Sequence, residues 1–257
     1  MSILRAKFGF RLGAVAALSA LAWAPDTVAI DGGGITPIGQ PEMTSFIFKP
    51  VPGPFDNLCD LLEDTLEFRH SFGGTIDHNH TFPGSGIGFA RDDSVVTHID
   101  ETGVFWVTAT SRSLNKGFER PSVEGGAHWV QSFTKNRSNA FIHFTVSKAQ
   151  LSINQALLGF TGGGACARIH ASAALAVSGE GHAHHGNFFE NALYRAGENA
   201  FFAFDPTGPM TFTKVEDPDG IGTVTFDRFT GALDLSGIDV GQPFALFFSA
   251  IAIAGTG

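Results

Sequence analysis

Residues 165–177 read ACARIHASAALAV, and this run decides the fold class. Ala167, Ile169, Ala171, Ala173, Leu175 and Val177 fall on one side of an extended chain, and Arg168, His170 and Ser172 on the other. A period of two over that length marks a strand with one buried face, because successive side chains of a pleated backbone point to opposite sides. The neighbouring segments have the same character. Gly103–Thr110 (GVFWVTAT) is almost continuously apolar and β-favouring, and Ala127–Thr134 (AHWVQSFT) follows it. In Ala140–Val146, Ile142, Phe144 and Val146 share a side, while Leu151 and Ile153 have switched parity, which predicts a bulge or tight turn near Ser147–Gln150. Ala200–Phe204, Met210–Val215, Gly222–Phe229, Ala232–Leu235 and Phe244–Ala254 complete the series, with turn chemistry at Glu216–Gly220 and at Thr230–Gly231.

Upstream, the pattern weakens. Residues 30–54 are rich in Gly and Pro and predict an extended lead-in with one strand around Thr44–Phe48. Leu58, Leu61, Leu62 and Leu66, with Asp56 available as a cap, predict a short helix over Asp56–Phe68. The glycines and proline of His70–Phe89 describe a turn-rich loop. The composition of 26 Phe, one Tyr and 32 Gly suits pleated, half-buried surfaces joined by tight turns. The expected class is therefore all-β, an antiparallel jelly-roll-like β-sandwich with one short N-terminal helix. Three divisions follow: a signal peptide at 1–29, a segment at 30–102 packing on the sandwich, and a β-sandwich core at 103–257.

The N-terminus predicts export. Arg5, Lys7 and Arg11 form a basic region, Ala14–Ala24 an apolar run, and Ala20/Ala22 and Thr27/Ala29 offer small residues for cleavage. Pro25 disfavours a cut after Ala24, so Ala29 is preferred and Ala22 is next. The apolar run is shorter than the ~20 residues of a spanning helix, so no transmembrane anchor is expected after cleavage. Removing 1–29 takes three positive charges (Arg5, Lys7, Arg11) and one negative (Asp26), moving the formal charge from −9 to −11. Such a surface disfavours nucleic acid and anionic membranes. Cys59 and Cys166 are the two cysteines, and in an oxidising compartment the even number predicts one bridge between them; two separate free thiols are the alternative.

The pattern from Ala127 to Ile153, AHWVQSFTKNRSNAFIHFTVSKAQLSI, the Ala-rich run at 165–177 and the closing GQPFALFFSAIAIAG at 241–255 together resemble the secreted bacterial β-sandwich domains often found ahead of PEP-CTERM sorting tails. The likeness covers about residues 100–255. It implies a place at the cell surface or in an exopolysaccharide matrix. The sequence carries no PEP tripeptide, so anchoring by that route is not expected.

Candidate chemistry is sparse. His182, His184 and His185, followed by Glu190, partly match the H-x-H-plus-Glu arrangement of cupin metal sites. Glu190 falls one or two residues late, and no matching second motif follows Gly197, so a His-rich polar loop is the simpler reading. Asp77–His80 places His78 and His80 in a second cluster, read as part of a mobile loop. If the two loops share one end of the sandwich, weak transition-metal binding follows without catalysis. Glu216, Asp217 and Asp219 make a solvated turn or a weak calcium site. Trp106 and Trp129 could stack on sugars if exposed, but their apolar surroundings predict core packing. No G-x-S-x-G elbow, H-E-x-x-H helix or P-loop is present. No catalytic residue and no cofactor is expected. The sequence reads as an exported, non-enzymatic structural or matrix-associated protein that meets extracellular polysaccharide or other surface proteins. The alternatives are a glycan-binding module and a cupin-like metal enzyme using the His182/His184 loop.

Overall fold

The structure is a computed structural model that describes residues 16–22, 28–30, 34–52, 65–83, 91–113, 121–146, 149–154, 165–177, 188–196, 202–217 and 221–256. Everything described is strand, turn or short connection. The first part of the chain supplies β1 (Ala16–Ala22), β2 (Val28–Ile30), β3 (Ile35–Pro52), β4 (Thr65–Phe72), β5 (Thr75–Pro83) and β6 (Arg91–Asp100). The middle supplies β7 (Phe105–Ser113), β8 (Pro121–Lys135), β9 (Phe141–Val146), β10 (Ala149–Asn154), β11 (Ala165–Val177) and β12 (Phe188–Ala196). The last part supplies β13 (Phe202–Thr207), β14 (Phe212–Glu216), β15 (Ile221–Phe226), β16 (Phe229–Asp234) and β17 (Pro243–Thr256).

These strands form three open antiparallel sheets. The first has the order β14-β15-β10-β1-β7-β6-β5, the second β13-β12-β11-β17-β8-β3-β4, and a small third β16-β9-β2. The alternating run at 165–177 is β11, whose Ala167, Ile169, Ala171, Ala173, Leu175 and Val177 are all buried. It pairs along its whole length with β17, from Ala165 opposite Thr256 to Val177 opposite Phe244. Phe244, Leu246, Phe248, Ala250, Ala252 and Ala254 of β17 turn to the same interior. One core cluster joins side chains of all three sheets. Phe248 marks the junction: its ring lies 6.4 Å from Phe105 of β7, 5.9 Å from Trp129 of β8 and 5.6 Å from Phe144 of β9.

Several upstream expectations change. Thr44–Phe48 is the middle of the longer β3, which hydrogen-bonds to β8 on one side and β4 on the other. The predicted helix is corrected over Thr65–Phe68, which is the start of β4; Asp56–Asp64 lie outside the described residues. The predicted loop at His70–Phe89 is corrected over its described part. His70–Phe72 closes β4, and Thr75–Pro83 is β5, paired with β6 from Thr75 opposite Asp100 to Pro83 opposite Asp92. The reason is that the apolar/polar order is inverted here. Phe68 and Phe72 face outward while Glu67 and His78 face the opposing sheet, so an edge strand reads like a loop.

The parity change between Val146 and Leu151 is a change of sheet, because β9 belongs to the small sheet and β10 to the first. The turn expected at Thr230–Gly231 is instead strand β16. Gly231 pairs with Phe144, and that phenyl ring occupies the space a Cβ on Gly231 would need. Asp227–Arg228 instead carries the chain straight on from β15 of the first sheet to β16 of the small one, with Phe226 opposite Ala149 and Phe229 opposite Val146; there the Thr211 hydroxyl donates to Asp227 Oδ2 at 2.6 Å and Asp227 N–H donates to the Thr211 carbonyl at 2.9 Å. The Glu216–Gly220 turn does join a hairpin, β14 with β15. Residues 16–22 and 28–30, inside or at the border of the expected signal peptide, lie in sheets: β1 sits between β10 and β7, and β2 pairs with β9.

Candidate functional site

Where the edges of the two large sheets meet, the chain passes from β4 directly into β5 through Gly73 and Gly74. Both glycines have positive φ, 68° and 77°, a conformation that a Cβ strains. Among the described residues β4 pairs only with β3 and β5 only with β6, so this corner carries the chain from one sheet to the other. Backbone bonds hold it on both sides: Gly73 N–H donates to the Pro41 carbonyl at 2.9 Å, and Glu101 N–H donates to the Gly74 carbonyl at 2.9 Å.

Behind the corner lies a polar line that crosses between the sheets. Ser45 of β3 and Glu67 of β4 belong to one sheet, and His78 of β5 and Thr97 of β6 to the other. Ser45, His78 and Thr97 are each 0% exposed. Glu67 Oε2 lies 2.6 Å from His78 Nε2, and Ser45 Oγ lies 3.0 Å from His78 Nδ1. Burial is the largest influence on the His78 imidazole and pushes its pKa below the usual histidine value. The hydrogen bond from His78 is the largest influence on Glu67 and holds its carboxyl below the usual carboxylate value. A carboxylate only accepts, so Nε2 of His78 carries the proton and Nδ1 accepts from the Ser45 hydroxyl. Ser45 in turn accepts from the Thr97 hydroxyl, in a close contact. The second oxygen of Glu67 accepts from His80 Nδ1 at 2.6 Å.

More ion pairs and hydrogen bonds flank this line. The Arg69 guanidinium donates to the Asp77 carbonyl across the sheets at 2.6 Å. Asp77 Oδ1 meets His98 Nδ1 at 2.7 Å, and the His98 ring stacks on Trp106 with centroids 5.8 Å apart. His70 Nε2 meets Glu42 Oε1 at 3.0 Å.

Serine, histidine and glutamate in a chain have the connectivity of a nucleophile with its base and orienting acid. Here the serine is sealed. Its oxygen has no exposed path to a carbonyl substrate, and it is already bonded to Thr97. The arrangement therefore joins two sheets and does not present a reactive atom.

His78 and His80, expected in a mobile loop, sit on β5 and are both bonded to Glu67, a residue not singled out from the sequence. His182, His184 and His185 lie outside the described residues, and Glu190 occupies a β12 position opposite Ala171 of β11. Among the described residues, no group of three or more His, Cys, Asp and Glu could hold a metal ion. Asp217 closes the β14–β15 hairpin, with its Oδ1 accepting from Ile221 N–H at 3.1 Å; Asp219 is outside the described residues. Trp129 is buried, as expected, with its indole N–H lacking a partner among the described residues. Trp106 departs from the core reading: it is only half-buried, on the outer face of β7.

Cys166 lies on the outer side of β11 yet is 0% exposed, in a small cluster with Ile253 and Ile251 separate from the main core. No described cysteine is free, and Cys59 lies outside the described residues. Comparison with protein-family models, curated proteins and solved structures finds no match to the chain.

Proposed function

We propose that this chain is an exported, non-enzymatic structural protein of the cell surface or extracellular matrix, built as a jelly-roll-like β-sandwich and stapled by a Cys59–Cys166 bridge. One observation carries the reading. The residues best suited to chemistry, Ser45, His78 and Glu67, are spent in a closed bond line between sheets, with the serine and imidazole fully buried. Export rests on the Arg5/Lys7/Arg11 and Ala14–Ala24 pattern, and surface placement on the resemblance of residues 100–255 to secreted matrix domains. Cleavage after Ala29 would also take β1 from between β7 and β10, so the processed chain would have to re-form that ladder.

The test is expression of the whole chain in a bacterial host, with fractionation, N-terminal sequencing of the exported form and assays on glycan and ester substrates. Exported protein without turnover supports the proposal. Protein held in the cytoplasm, or substrate turnover lost in a Ser45→Ala variant, would overturn it.

A second reading, glycan binding, draws on β4. Phe68 and Phe72 are 62% and 63% exposed on one face, with His70 between them. Aromatic rings so displayed can stack on sugar faces. Binding on a glycan array that disappears in a Phe68→Ala/Phe72→Ala variant would establish it, and silence of the native chain on the array would remove it.

A further inference from the structure

We propose that His78 is a pH-operated latch: neutral, it ties the two large sheets along the β4–β5 edge, and protonated it lets that edge part. Nε2–H is committed to Glu67, so a second proton must go to Nδ1, the atom that now accepts from Ser45. Ser45 would then turn its own proton toward Thr97. The Thr97 hydroxyl, which is fully buried and has no other hydrogen bond among the described residues, would be left with a hydrogen and no acceptor. A polar hydrogen stranded in that position is costly, and the whole line loses its order.

The charges around the imidazole point the same way. Glu67 of β4 favours the cation. Arg69 of β4, His80 of β5 and the burial itself oppose it, and burial is the largest influence. Among the described residues of β3 and β6, the polar groups facing the ring are the hydroxyls of Ser45 and Thr97, while His98 of β6 is engaged by Asp77. The affected edge is also the place where the sheets are joined by one two-glycine corner, so it can open without breaking the β11–β17–β8 centre.

The sign follows from linkage. The folded pKa lies below the unfolded value of about 6.5, so the latch is fully closed above that pH and loosens as pH falls toward the folded value. One linked proton limits the change to at most about tenfold in the opening constant per pH unit.

Hydrogen exchange of the amides in residues 65–83 between pH 8 and pH 5, corrected for intrinsic exchange, tests this. We expect the opening constant to rise toward that tenfold slope below about pH 6.5. The slope should vanish in His78→Gln, whose amide can still donate to Glu67, and survive in His80→Gln. An NMR titration of the native ring, which needs no variant, should place the His78 midpoint below about 6.5. A flat profile, a His78 midpoint above the free value, a slope that His80→Gln abolishes and His78→Gln keeps, or stoichiometric transition metal retained on Glu67, His78 and His80 after purification would each overturn the latch.

Discussion

Replacing Phe248 by alanine should be among the costliest single changes in this protein. Phe248 is only 6% exposed, and its ring touches three others, Phe105, Trp129 and Phe144, each contributed by a different sheet. Phenylalanine-to-alanine changes in cores cost about 3–5 kcal/mol, the upper part of that range applying where the surroundings cannot collapse into the space. Collapse is hard here, because closing the hole means moving three sheets that are each held by their own hydrogen-bonded ladders. For a chain of this size each kcal/mol lowers Tm by roughly 2–4 °C, so a fall of about 6–20 °C is expected. Urea unfolding followed by circular dichroism measures the free energy, and calorimetry the Tm.

The adjacent Phe247 is the control. It lies on the same strand, points to the other face and is 38% exposed, so Phe247→Ala should cost no more than about 1 kcal/mol. If Phe248→Ala does not fold, Phe248→Leu, which keeps most of the volume, should still cost more than Phe247→Ala. Equal losses at 247 and 248 would refute the placement of Phe248 at the junction of the sheets.

Three further outcomes are expected. Lys135 is buried, and its ammonium donates to the carbonyls of Leu235, at 2.6 Å, and Ile238; Lys135→Met leaves both without this donor and should cost about 1–3 kcal/mol, read as a lower urea midpoint with an unchanged m-value. Gly126→Ala should cost at least about 1 kcal/mol, because the Phe46 ring fills the space of the added methyl, whereas Gly237→Ala, with nothing near its Cβ, should change thermal stability little. If Cys59 and Cys166 are bonded, a thiol assay on unfolded, unreduced exported protein returns no free thiol, and Cys59→Ser lowers stability by up to about 4.7 kcal/mol, the loop-entropy value for a closed loop near 107 residues; two free thiols would remove the bridge.

The β-class was legible because alternation is a local property. A strand whose one face meets apolar groups and whose other meets water or polar groups must write that difference into every second residue, and β11 and β17 do so. Where the interior is itself polar, the code breaks down. Glu67 of β4 and His78 of β5 face inward while Phe68 and Phe72 of β4 face outward, so β4 and β5 read as the end of a helix and a loop. Of the four leucines whose spacing predicted the helix, only Leu66 is described, and there the β3 ladder claims Thr65–Phe72 for a sheet. The same holds for the site. His78 and His80 stood out in the sequence as a pair, but nothing near them announced Ser45, 33 residues away, or the Thr97 hydroxyl 52 residues beyond Ser45.

What the sequence by itself determined was the secondary-structure class, the acidic surface and which faces of the central strands are apolar, all of which depend on residue type and near neighbours. Only the tertiary structure decided which strands share a sheet, that the parity change after Val146 is a change of sheet, and that serine, histidine and glutamate form a closed line with no exposed reactive oxygen. Those outcomes depend on ladder partners chosen across tens of residues, where the energy of pairing and burial, shared by many contacts, overrides the preference of any short segment.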